Sequence, residues 1–175
     1  MATVLMDEIV ETDYGQLDLV WKDDLDDEDH LDKAFRGQVN GLVGAGHPNR
    51  VYVNLARRSG GSPVRVVLHD AEPELPGPEF DDVVEVSTTV PDDAEPGWQS
   101  WAGESGGDLA GIEAGTYRLR VSARGRDAGA ADEFAEAPVD EYLIELWPAS
   151  TAPDAIVRVT SQNAAMYHAE WGGNR

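Results

Sequence analysis

The 175-residue chain contains no cysteine. That excludes a disulfide scaffold, a zinc finger or ribbon, a thiol nucleophile and a redox pair together. Basic residues are scarce as well: 13 Lys+Arg stand against 34 Asp+Glu, a formal net charge of -21. Tight binding to DNA, RNA or an anionic membrane face depends on cations that neutralise phosphate, so no direct nucleic-acid or membrane contact is expected. The chain lacks any run of 18 apolar residues, so no membrane span is expected either. Acids occupy the stretch from Met1 to Glu11, where a secretory signal would carry lysines, and the protein is read as cytoplasmic. Short catalytic signatures are missing too. The sequence has no HExxH, no GxxxxGK[ST], no nucleophile elbow and no dinucleotide-binding glycine fingerprint.

What is present fits one globular domain. With 41% hydrophobic residues, a chain of this length buries roughly two-thirds of the surface its unfolded form exposes. The expectation is a single β-sandwich domain over residues 1–175, with 148–175 a C-terminal extension packed on it. Only two lysines, Lys22 and Lys33, accompany eleven arginines. Such a compositional bias can acidify a surface without any partner being involved.

Apolar residues alternate with polar ones along most of the chain. Leu17, Leu19 and Trp21 form one such set, Val51, Val53 and Leu55 a second, and Val64, Val66 and Leu68 a third. The glycines of Ser59-Gly60-Gly61-Ser62-Pro63 read as a turn joining the last two sets into a hairpin. Val84 and Val86 mark another strand, and Trp98 to Trp101 a weaker one. The clearest strand is Thr116–Arg124, with Tyr117, Leu119, Val121 and Ala123 inward, and its partner is Glu141–Trp147, with Tyr142, Ile144 and Leu146 inward. A last strand is expected over Ile156–Val159. Asp26–Phe35, with acids early and a lysine late, predicts a short helix. Gln162–Trp171 fits a terminal helix or an irregular docked tail. The fold class read from this pattern is all-β, an antiparallel, jelly-roll-like β-sandwich with one or two short helices.

Four groups of residues invite a functional reading. Asp23, Asp24, Asp26, Asp27, Glu28 and Asp29 form a dense acidic run without EF-hand spacing, a charged interaction face or a solvated helix start rather than a metal site. Arg118, Arg120 and Arg124 share the outward face of one strand, where Glu141 and Glu145 of an antiparallel neighbour can pair with them. His30, His47, His69 and His168 show no ligand spacing. Trp98 and Trp101 are a candidate aromatic platform for a ligand, set against plain core packing. No cofactor or metal is expected, and no catalytic residue is assigned.

Taken in order, several short motifs resemble a known family. Tyr14, Gln16 and Trp21 precede the short helix ending Lys33-Ala34-Phe35, followed by Gly41-Leu42-Val43 and the Arg57–Ser62 turn. Gly115-Thr116-Tyr117-Arg118-Leu119 and Asp140-Glu141-Tyr142-Leu143-Ile144 come later. Over roughly Glu8 to Trp147 this layout resembles the competence protein J family, inhibitors of a DNA-entry nuclease. The resemblance implies a small soluble β protein that binds a partner nuclease and blocks it, with no catalysis of its own. The acidic run is then the partner-binding candidate, since carboxylates compete for a site built to attract polyphosphate. The alternative is a carbohydrate- or small-ligand-binding β-sandwich using Trp98 and Trp101. On the core assignment, Leu119→Ala costs about 2–5 kcal/mol in a denaturant titration, whereas a loss below about 0.5 kcal/mol would mean that the strand faces are reversed.

Overall fold

Alternating patterns become strands at nearly every place where they occur, because a strand puts every second side chain on the same face. The computed structural model describes residues 1–23, 30–132 and 134–173. A six-stranded sheet holds, in spatial order, β1 (Ala2–Asp13), β5 (Ser59–His69), β10 (Glu141–Pro148), β9 (Gly115–Arg124), β6 (Asp82–Val90) and β11 (Ala155–Arg158). A five-stranded sheet holds β3 (Val43–Gly44), β4 (Arg50–Asn54), β2 (Gln16–Val20), β7 (Gly97–Ser100) and β8 (Gly106–Asp108). Neighbours are antiparallel except β5 and β10, which run parallel. The described helices are short: α1 (His30–Ala34), α2 (Arg126–Ala131) and α3 (Gln162–Trp171). The chain is thus mostly β.

A shared apolar cluster draws on both sheets. Leu17, Leu19, Val51, Val53 and Trp98 come from the smaller sheet, and Val64, Val66, Val84, Val86, Leu119, Val121, Ile144 and Leu146 from the larger. Every inward residue expected on β9 and β10 is buried in it. Trp21, fully buried, closes the cluster beyond β2 and donates its indole N–H to Thr88 Oγ1 at 2.8 Å. A smaller aromatic group, Phe35 and Tyr52 with Trp171 stacked edge-on to Phe35 at 5.3 Å, fastens α1 and α3 to the outside of β4.

Several expectations need correction. β4 and β5 are not a hairpin, for β4 pairs with β2 and β3 while β5 pairs with β1 and β10. The supposed Ser59–Pro63 turn is the start of β5, in register with Asp13 back to Ile9 of β1. β1 itself, twelve residues long, was not expected at all. The connection between β9 and β10, for which no helix was expected, contains α2. Gln162–Trp171 is helical, and its start is fixed twice over. The Ser161 hydroxyl accepts from Ala164 N, and the buried Asp82 carboxylate accepts from Thr160 N, Ser161 N and Ser161 Oγ.

The arginine row departs from expectation in two respects. In the observed register Arg124 lies opposite Glu141 and Arg120 opposite Glu145. Arg124 meets Glu141 at 2.5 Å at the surface, but Arg120 has no exposed surface. Its Nε donates to Glu85 Oε1 at 2.9 Å, its Nη1 donates to the carbonyls of Pro73 and Glu74, and Glu145 lies 3.8 Å away. Its guanidinium sits 4.9 Å from the Trp147 ring centre. Arg118 pairs with Glu85, not with Glu141 or Glu145. Arg158 in turn donates to the carbonyls of Pro76, Gly77 and Phe80. The proline-rich segment 70–81 is thereby held over the outer face of the larger sheet, which is why Val83, Ser122 and Trp147 on that face are buried. Removing a buried partner strands the other charges, so Arg120→Ala costs about 3–5 kcal/mol. By contrast, Arg124→Ala, at an exposed pair, costs about 0–1 kcal/mol, and equal losses in urea titrations would contradict the assignment.

Candidate functional site

The four functional candidates scatter over the molecule. Of the acidic run, Asp24, Asp26, Asp27, Glu28 and Asp29 lie outside the described residues. Asp23 stands exposed just after Trp21 and Lys22, at the end of β2. Beside it Lys22 reaches across to Asp93 at 2.5 Å, and that ammonium holds the Asp93 carboxyl below the usual carboxylate range. The shoulder from which the acidic run departs is therefore mixed in charge.

Trp98 and Trp101 do not form a platform. Residues three apart on a strand point to opposite sides, and the chain leaves β7 after Ser100. Trp98 is 6% exposed and belongs to the core, whereas Trp101 turns outward at the opposite side of the chain. Its ring meets Tyr14, not Trp98, with centroids 4.9 Å apart and planes tilted by 51°. The signal for this pairing was weak in the sequence, because Tyr14 and Trp101 are 87 positions apart and neither lies in an alternating pattern.

His47, His69 and His168 serve the fold. His47 Nδ1 accepts from Asn49 N at 3.0 Å and steadies the turn before β4. His69 Nε2 lies 3.0 Å from Glu145 Oε1 on the covered face of the larger sheet. His168 Nδ1 accepts from Gly41 N at 3.0 Å, joining α3 to the segment before β3. Gly41 is required there, since a Cβ would lie 1.9 Å from the Tyr167 carbonyl oxygen. Among the described residues, no group of three or more His, Asp or Glu side chains is placed to hold a metal ion. Buried acids likewise have structural uses. Asp140 accepts from Ser62 Oγ at 2.6 Å and from Tyr142 OH at 2.8 Å, while that phenol oxygen accepts from Ala56 N.

Cations are spent inside the molecule. Arg50, Arg57, Arg118, Arg120 and Arg126 are all buried. Arg126 is held by the carbonyl and side-chain oxygens of Asn54 and by Asn163 Oδ1, between the rings of Tyr142 and Tyr167. The negative surplus consequently lies on the outside. Among the described residues, no helix is long and apolar enough to cross a membrane.

No protein-family profile and no curated protein sequence matches the chain. Solved structures do. One neighbour is ComJ of Bacillus subtilis, described as the inhibitor of the DNA-degrading activity of NucA. Its superposition gives a TM-score of 0.53 at 16% identity and covers 85% of this chain and 99% of ComJ. The chain folds like ComJ. The product of crocagin biosynthetic gene J is a second neighbour, with a TM-score of 0.58, 14% identity, and coverage of 86% of this chain and 99% of that one. The resemblance to the ComJ family read from short motifs is thus matched by a fold likeness over most of the chain. ComJ shares the fold at an identity too low to carry its partner across.

The His168 contact makes a prediction about pH. Burial is the largest influence and holds the imidazole below its ordinary 6.5, with Arg126 adding to this and Asp82 and Asp154 opposing it. A depressed folded-state value means that the neutral ring stabilises the fold above pH 6.5, and that this contribution is lost as pH falls below it. The stability advantage of wild type over His168→Ala is expected to shrink between about pH 7 and about pH 5 in paired denaturant titrations. An advantage that grows on acidification would show that the charged ring is the favoured form.

Proposed function

We propose that this protein is a non-catalytic binding protein that inhibits a DNA-degrading nuclease by occupying its active site with carboxylates. The observation that carries the reading is the fold likeness to ComJ, an inhibitor of such an activity, over 85% of the chain. The charge supports it independently of the fold. A nuclease cleft is built to attract phosphates, and a surface of net charge -21 competes for the same field and speeds encounter. On this reading, residues 1–175 act as one cytoplasmic β-sandwich, with 148–175 packed on it. Asp23 and the acidic residues that follow it then guide approach to the partner.

A carbohydrate-binding reading needs two coplanar exposed rings, and the burial of Trp98 removes one of them. The crocagin neighbour places the same fold in a biosynthetic setting, so the partner is a matter for direct assay.

The test is a nuclease assay with purified chain and a panel of purified DNA-degrading endonucleases that includes NucA. Stoichiometric inhibition at micromolar concentration is expected. The association rate should fall steeply as salt rises past about 0.15 M, where the Debye length is about 8 Å. Asn replacement across Asp23–Asp29 should slow association more than it hastens dissociation. Absence of inhibition across the panel, or inhibition indifferent to salt, would count against the reading.

A further inference from the structure

One end of the molecule exposes aromatic rings that the shared apolar cluster does not include. Four connections meet there: the β1–β2 corner, the β4–β5 link, the turn after β7 and the segment following α2. Tyr14 is 56% exposed, Trp101 37% and Phe134 81%. The Arg58 guanidinium lies over the Tyr14 ring, 5.1 Å from its centre. Tyr14, Arg58 and Phe134, with Asp13 and Ser59, line a cleft of about 230 Å³. Single exposed aromatics are ordinary on protein surfaces, but a contiguous group of Tyr, Trp, Phe and Arg has the composition of a binding hot spot.

The backbone holds these rings out against its own preference. Among the described residues, the non-glycine positive φ values fall at Tyr14 (60°) and Ala102 (53°), and both belong to this end. Each is followed by a glycine in the same left-handed region, Gly15 at 65° and Gly103 at 67°. Asn or Gly fits the first position with less strain than a bulky ring does. A tyrosine at that position carries backbone strain, and its ring rests on Trp101 and under Arg58.

Around the rings lie carboxylates. Two adjoining clefts are bordered by Glu11, Asp13 and Glu104 on one side and by Glu11 and Glu136 on the other. Arg57, which also borders this rim, is turned inward, 4% exposed, with its guanidinium donating to the carbonyls of Gly61 and Ala135. An apolar centre ringed by acids complements a protein surface that presents an apolar side chain among lysines and arginines. A second copy of this chain would set acid against acid, and a nucleic acid would do the same.

We propose that this end, centred on Tyr14 and Trp101, is the docking surface for a cationic protein partner. The proposal rests on the reading that the chain acts by binding a protein, and it places the main contact here instead of on the acidic run. Two probes test it: NucA of Bacillus subtilis, and a random linear-peptide display library selected on the wild-type chain. The variants are Tyr14→Asn, which suits the left-handed backbone, and Trp101→Ala. Neither changes the net charge. Selected peptides should be rich in Lys and Arg around an apolar residue and should bind both variants about ten-fold or more weakly, while thermal midpoints hold. Peptides that bind both variants within about two-fold of wild type would overturn the docking surface, since hot-spot truncations cost far more. NucA bound equally by wild type and variants would overturn it too, while leaving the nuclease reading intact. NucA left unbound, with peptides lost on both variants, would uphold the surface and count against NucA as partner. A neutral oligosaccharide that binds wild type and is lost on Trp101→Ala would replace the protein partner with a sugar.

Discussion

A guanidinium with no exposed surface holds the larger sheet and its cover together. Arg120 sits between Glu85 and Glu145 and reaches the carbonyls of Pro73 and Glu74, so the sheet and the 70–81 segment meet at one side chain. Burying a charge is unfavourable unless its partners are buried with it, and here they are. The outer face of the sheet is thereby dry in its middle, and β9 and β10 are packed on both sides. Arg158 repeats the device at the far end of the segment, and Arg126 does so between α2, α3 and β4. Each arginine turned inward satisfies carbonyls or acids that the fold would otherwise leave unmet. Those met by uncharged oxygens, as Arg126 and Arg158 are, leave carboxylates in excess outside. Fold stability and surface charge are linked in this way.

Much of the fold was legible because period 2 is a strong local signal. It identified the inward residues of β9 and β10 and their antiparallel pairing, but not which arginine faces which glutamate. It could not tell whether the outward face was wet. Arg120 read as exposed because the residues that cover it, Pro73 and Glu74, lie 47 and 46 positions earlier in a segment with no pattern of its own. The supposed β4–β5 hairpin failed for a related reason. Two strands separated by a short glycine-bearing link look alike whether the chain doubles back within a sheet or crosses to another. β1 escaped notice because it is an edge strand with a register shift between Val4 and Met6. Its acids and exposed apolar residues break the alternation, as is common where an edge must resist pairing with other chains.

The candidate site was less legible than the fold. Composition pointed to the acidic run, the densest cluster in one dimension, whereas the aromatic end is assembled from residues near positions 14, 58, 101 and 134 that only the topology unites. Trp101 was singled out for a pairing with Trp98 that strand geometry forbids, and its real neighbour is a tyrosine at a corner. Positive φ at a bulky residue cannot be read from sequence, yet it marks this end most clearly.

The central claim is that the chain works by presenting an acid-ringed aromatic end to a cationic protein. Hydrogen exchange of backbone amides, compared for the free chain and for its complex with a nuclease it inhibits, tests this most directly. Slower exchange is predicted at residues 11–15 and 101–105, with the buried amides of β9 and β10 unchanged. Protection confined to β11, at the opposite edge of the larger sheet from β1, would contradict the account.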